Sequence, residues 1–167
     1  MDCRVSSLPA EGGESLVLRL LNRNVLPPGL GSLGMAPEAL GGLRAALGEG
    51  EGLVLAAGPT GSGKTTTLYA ALREILTPSV KVLSAEDPVE YVLPGAVQVP
   101  VAPAIGFGFA QALRAFLRMD PDVIFVGEIR DPETAETALQ AAVTGHLVLA
   151  SIHATDGSGV RARLLDL

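Results

Sequence analysis

The chain opens on two short stretches in which polar and apolar residues take turns. Arg4-Val-Ser-Ser-Leu8 is the first, and Glu14-Ser-Leu-Val-Leu-Arg-Leu-Leu21 follows after Glu11-Gly-Gly. That pattern predicts a β-hairpin over 4–8 and 14–21. Pro27-Pro28 with Gly29, Gly31 and Gly34 reads as a linker over 27–34. Ala- and Leu-rich Pro37 to Leu47 predicts a helix, with Pro37 in its first turn and Gly48 at its end.

From residue 52 the rhythm changes. Gly52-Leu-Val-Leu-Ala-Ala57 is a continuous apolar run, the pattern of a strand covered on both faces. Further strands are predicted at 80–84, 123–126 and 146–152, alternating with helices at 64–76, 107–119 and 132–143. This succession predicts an α/β domain, a mainly parallel sheet between layers of helices. The chain divides into an N-terminal segment of 1–30, the remnant of a small β-containing domain, and a core of 36–167. A two-stranded ribbon is marginal by itself, and the helical pattern from Val160 stops in mid-course at Leu167. The sequence therefore reads as a fragment, truncated at the C-terminal end of its core.

Composition narrows the possibilities. Of the 167 residues 48% are hydrophobic and 18% charged, which favours a packed core over disorder. The net charge is −6, and only Lys64 and Lys81 are lysines. That balance argues against a surface that coats nucleic acid. A lone cysteine, Cys3, provides neither an internal disulfide nor a zinc site. No apolar run approaches the roughly 18 residues of a membrane span, and Arg4, Glu11, Glu14 and Arg19 make the first 25 residues unlike a signal peptide. A cytoplasmic protein is expected.

Gly58-Pro59-Thr60-Gly61-Ser62-Gly63-Lys64-Thr65 fits G-x-x-x-x-G-K-[ST], after a predicted strand and at the start of a predicted helix. The glycines let successive N–H groups turn inward as an anion nest, and the helix adds the positive end of its dipole. Lys64 supplies a mobile charge for the β- and γ-phosphates, and the Thr65 hydroxyl suits Mg²⁺. The loop predicts ATP with Mg²⁺ as the ligand.

Hydrolysis also needs carboxylates at the ends of neighbouring strands. Val123-Ile-Phe-Val-Gly-Glu128 ends an apolar strand in an acid, as a Walker B element does. Val82-Leu-Ser-Ala-Glu86-Asp87-Pro88 offers a second acid, placed to polarise a water. Asp131 before Pro132 reads as a helix N-cap. His146 and His153, seven residues apart about one strand, fall on opposite faces and read from spacing alone as satisfied strand-end histidines. Arg114 and Arg118 share a helix face. They are either a solvated stripe or a cationic comb toward phosphate or a neighbouring subunit.

These segments together resemble the ATPases of type II secretion and type IV pilus assembly (the GspE/PilB family). The resemblance rests on Arg4-Val-Ser-Ser-Leu-Pro9, Gly13-Glu14 with Val17-Leu-Arg-Leu-Leu21, and Gly58 to Tyr69. It continues through Glu86-Asp-Pro-Val-Glu-Tyr91, Leu113 to Val123, Val126-Gly-Glu-Ile-Arg-Asp131, and Thr144-Gly-His-Leu-Val148 running on to His153. It implies a RecA-like P-loop core and a hexameric ring that hydrolyses ATP to drive pseudopilus or pilus assembly. Such a ring works at the cytoplasmic face of the inner membrane, through platform and docking proteins and without inserting into the bilayer.

By position, Lys64, Thr65 and Thr66 would hold nucleotide and metal, Glu86 would be the catalytic carboxylate, Glu128 the Walker B acid and His153 a phosphate-side sensor. Arg4 and Arg19 would reach the nucleotide from the hairpin. Arg114, Arg118 and Arg130, with Arg163 as a further candidate, would stand at the active site or subunit interface. Neither zinc nor nucleic acid is expected, and the fragment alone is expected to be a weak ATPase. The alternatives are a pilus-retraction or DNA-uptake ATPase of the same superfamily, a RecA-like nucleic-acid motor, or an inactive nucleotide-binding fragment.

Overall fold

A computed structural model describes residues 2–21, 25–154 and 157–166; Thr155 and the side chain of Arg163 lie outside what it describes. Among the described residues, seven strands and five α-helices form a hairpin and a layered core. The hairpin pairs β1 (Asp2–Ala10) with β2 (Gly13–Leu21) in antiparallel register, longer than the alternation predicted because Pro9 and Ala10 still pair with Glu14 and Gly13. The core runs α1 (Pro37–Gly48), β3 (Gly52–Ala57), α2 (Lys64–Ile75), β4 (Val82–Glu86), β5 (Val97–Pro100), α3 (Phe109–Phe116), β6 (Val123–Ile129), α4 (Pro132–Val143), β7 (Leu147–Ile152) and α5 (Gly157–Asp166).

The core sheet has the order β3-β7-β6-β4-β5, and every neighbouring pair is parallel. The two-residue period of a strand sends alternate side chains to opposite faces. Ile124, Val126, Val148 and Ala150 pack with α3 and α4 residues such as Leu113, Phe116 and Ala138. Val123, Phe125, Leu147 and Leu149 pack with Leu68, Leu72 and Leu47 of α2 and α1. Both faces of the sheet are therefore covered, as continuous apolar strands require.

Four features depart from the sequence pattern. The run in β3 is half-buried throughout rather than enclosed, because β3 lies at an edge of the sheet. β4 begins two residues late: the Val80 amide closes a turn onto Thr77, and the Lys81 amide donates to the Asp122 carboxylate at 2.6 Å. Glu86 consequently ends the strand instead of following it. β5, which the apolar pattern does not announce, is a four-residue edge strand closed by Pro100, a residue tolerated only at such a position. Finally, the stretch read as linker is docked on the core. Leu30 is completely buried in a 3-10 turn, Leu26 and Leu33 pack beside it, and Arg73 donates to the Pro27 carbonyl at 2.5 Å.

Candidate functional site

The carboxyl ends of β3, β4, β6 and β7 converge on one cavity of about 550 Å³. Crevices outside the carboxyl ends of parallel strands are where α/β sheets bind ligands. The phosphate loop leaves β3 there. Gly63 takes φ +90° immediately before α2, a conformation that side chains other than hydrogen adopt with strain, and so lets the loop turn directly into the helix. The Lys64 ammonium donates to the carbonyls of Gly58 (2.9 Å) and Pro59 (2.8 Å), which holds it over the loop. Thr60, Gly61, Thr65 and Thr66 also line the cavity.

Glu86 stands at the end of β4 and is almost fully buried. Both its oxygens are engaged. Oε2 accepts from the Tyr69 hydroxyl, and Oε1 accepts from Ser84 Oγ at 2.6 Å and from Gln98 Nε2 at 3.2 Å. Burial, followed by the charge of Glu86, pushes the Tyr69 phenol well above its ordinary range, so its proton stays available to the carboxylate. The Tyr69 ring is fixed by edge-on contacts with Tyr91 and Phe125 at centroid distances of 5.0 and 5.5 Å. Ser84 and Glu86 share a strand face by their separation of two, a signal present in the sequence. Tyr69 and Gln98 reach Glu86 from α2 and β5, and nothing local announces that meeting.

Glu128 sits at the end of β6, where the ladder to β7 is irregular between Val126 and Ile129. Its side chain is 15% exposed, ion-paired with Arg130, and 3.6 Å from His153 Nε2. Gly127 is what permits this geometry: a Cβ there would lie 3.2 Å from the Ala85 carbonyl oxygen and 3.3 Å from Glu86 Cα. Ser151 Oγ ties the two strands by donating to the Gly127 carbonyl at 2.6 Å.

Arg4 and Arg19 reach the same cavity from the hairpin, as do Asp87 and Glu90 from the loop after β4. In a chain of net charge −6, four cations (Arg4, Arg19, Lys64 and Arg130) thus share one space with four carboxylates. The Glu90 carboxyl is held above its usual range, first by partial enclosure and then by the charge of Glu86, with Arg19 opposing the shift.

Other candidates fall elsewhere. Arg114 pairs with Glu133 across α3 and α4. α3 ends at Phe116, not at 119, so Arg118 lies in the following turn rather than on the helix face expected for the pair, and donates to the Arg114 carbonyl at 2.8 Å. Neither lines the cavity, so within this chain they do not join the phosphate loop. His146 is a local brace, its Nδ1 3.0 Å from the Ala141 carbonyl at the end of α4. Asp131 caps α4 through the Thr134 amide at 2.8 Å and hydroxyl at 2.9 Å. Among the described residues no helix is long and apolar enough to cross a membrane.

A phosphate loop at the carboxyl edge of a parallel, helix-covered sheet, with acids ending the strands beside it, defines a P-loop α/β fold of the RecA-like kind. The family profile "Type II/IV secretion system protein" matches residues 1–167, and the chain belongs to that family. It is 51% identical over its full length to "Type II secretion system protein HxcR" of Pseudomonas aeruginosa and 48% to "Type IV pilus assembly ATPase PilB" of Myxococcus xanthus. It spans only 36% and 30% of those relatives. The solved structure of the pilus retraction motor PilT with bound ADP superimposes with a TM-score of 0.81 at 38% identity, covering 99% of this chain and 48% of that one.

Proposed function

We propose that this chain is the ATP-hydrolysing core of a hexameric, ring-forming motor subunit that powers pseudopilus or pilus assembly. The observation that carries the reading is convergence. The phosphate loop, Glu86, Glu128 and two arginines from a separate hairpin all line one cavity.

In this reading the loop amides and the N-terminus of α2 cradle the phosphates of ATP. Lys64 exchanges its contacts with the Gly58 and Pro59 carbonyls for phosphate oxygens. Thr65 and Glu128 offer a hydroxyl and a carboxylate in the same cavity, hard oxygen donors of the kind Mg²⁺ takes alongside phosphates. The ion, when bound, neutralises charge on the transferred phosphoryl group. Glu86 accepts the proton of a water as its oxygen attacks the γ-phosphorus, and the bond to ADP breaks. Arg4 and Arg19 bring positive charge to the phosphoryl oxygens from outside the core. His153, beside Glu128, reads out the γ-phosphate.

Arg114, exposed on α3, and Arg118, exposed in the turn that follows it, are assigned to the neighbouring subunit's side. The ring would sit at the cytoplasmic face of the inner membrane through platform and docking proteins of the machine. Titration calorimetry with Mg-ATP and a phosphate-release assay test the central claim. Lys64→Ala should lose nucleotide binding and turnover together, and a variant that keeps wild-type values of both overturns the assignment.

A further inference from the structure

Gln98 belongs to none of the motifs above, yet its amide is the hub of the polar cluster under the cavity. Its Oε1 accepts from the Leu93 amide at 2.7 Å. Its Nε2 lies within hydrogen-bond distance of the Tyr69 hydroxyl (3.0 Å), the Tyr91 carbonyl (2.9 Å) and Glu86 Oε1 (3.2 Å). One side chain on β5 thereby touches the helix that carries Lys64, the carboxylate that ends β4, and the loop that presents Asp87 and Glu90. An amide suits this place: it accepts on one side, offers two N–H donors on the other and carries no charge. A carboxylate at 98 would set a second anion against Glu86, and an apolar residue would leave the Leu93 amide and a lone pair of Glu86 without their partners.

We propose that Gln98, acting with the Tyr69 hydroxyl, is the positioning residue that fixes the Glu86 carboxylate relative to the phosphate loop. This rests on the reading of Glu86 as the proton acceptor. Glu86 is nearly inaccessible and its oxygens are divided among three donors. The direction of its remaining lone pairs is therefore set by where those donors stand. Ser84, two residues away on the same strand, moves with Glu86 and cannot aim it. Tyr69 and Gln98 come from different elements and can. Tyr69 lies five residues beyond Lys64 on α2, so the same contacts fix the acid in the frame of the residue that holds the phosphates.

The test is a double-mutant cycle on turnover and ATP affinity, with thermal melting as the check on folding. Gln98→Met keeps the length of the side chain without its hydrogen bonds, and Tyr69→Phe keeps the ring and removes one hydroxyl. Each should lower kcat about 10-fold or more while the Kd for ATP stays within about 2-fold, since losing a base altogether costs roughly 10²–10⁴. Exchange of the Leu93 amide should accelerate in Gln98→Met.

In a Glu86→Gln background neither change should lower kcat further. A merely structural role for Gln98 would instead add its cost in that background. Unchanged kcat in both single variants, or additive losses with Glu86→Gln, overturns the positioning role and leaves Glu86 as the base. Wild-type turnover of Glu86→Gln itself overturns the reading of Glu86 and the positioning role with it.

Discussion

Arg4 and Arg19 stand directly opposite each other across the hairpin, and both side chains line the cavity of the phosphate loop. Like charges in a direct cross-strand pair destabilise a sheet, and here they do so in a two-stranded ribbon that has little stability to spare. The cost makes sense where the pair meets an anion. Positive charge is needed at the phosphoryl group only while negative charge develops there.

Replacing Arg4 or Arg19 with Ala should therefore depress turnover far more than ATP affinity. Arginine fingers contribute about 10³–10⁵ in rate in P-loop enzymes, and two that share the task should each account for part of it. Single-turnover measurements with a fluorescent nucleotide separate the two effects. Variants that weaken nucleotide binding and leave the chemical step untouched would assign the pair to docking instead.

Gly127 supports a prediction about packing. Its missing Cβ leaves room for the Ala85 carbonyl oxygen and Glu86 Cα, which would lie 3.2 and 3.3 Å from it. Both neighbours are backbone atoms of β4, so they give way only if the strand moves. Gly127→Ala should cost about 1–3 kcal/mol as an overpacked contact. By shifting the strand that carries Glu86, it should also lower turnover more than ATP affinity. Denaturant unfolding and a kcat comparison check both halves, and wild-type stability would mean that the strands separate freely at this point.

The parts of this site that were legible in the sequence are those with local signatures. The glycines around Lys64, the apolar runs ending at Glu86 and Glu128, and the alternation around Arg4 and Arg19 each fit within about ten residues. What stayed hidden depends on tertiary meetings. β5 has four residues and two exposed or half-exposed apolar positions, too little pattern to stand out. Gln98 looks like an ordinary strand polar residue until β5 is laid beside β4. Leu26 and Leu30 sit among prolines and glycines, so their burial against α2 is masked by turn chemistry. Arg114 and Arg118 show the reverse: their spacing suggests a same-face pair, but α3 stops at Phe116 and leaves Arg118 in a turn, and only the position of Glu133 reveals that Arg114 has a partner on α4.

Glu128 tests the metal assignment. It is the less exposed partner of its pair with Arg130, and it faces the cavity that Thr65 lines. Glu128→Gln keeps the shape and removes the charge. It should raise the Mg²⁺ concentration needed for half-maximal turnover while the affinity for nucleotide in the presence of a chelator stays as it was. An unchanged Mg²⁺ dependence with reduced kcat would place Glu128 in water handling rather than metal binding.

Glu90 provides the pH test. Partial enclosure and the neighbouring charge of Glu86 hold its carboxyl above the usual range in the fold, against the weaker pull of Arg19. A group with a raised folded-state value binds its proton more tightly when folded. Its favourable contribution is present on the acid side and is lost as pH rises through that raised value. Above that raised value the folded chain carries an ionised Glu90 in surroundings that disfavour the charge. Glu90→Gln should therefore raise the melting temperature at neutral pH, and the gain should shrink toward zero as pH falls through the carboxylate range, where the native side chain is also neutral. Melting curves of the two proteins at matched ionic strength across that range decide the matter. A gain that persists undiminished in acid would trace the effect to packing of the amide, and a loss at neutral pH would show that the attraction to Arg19 outweighs enclosure and repulsion combined.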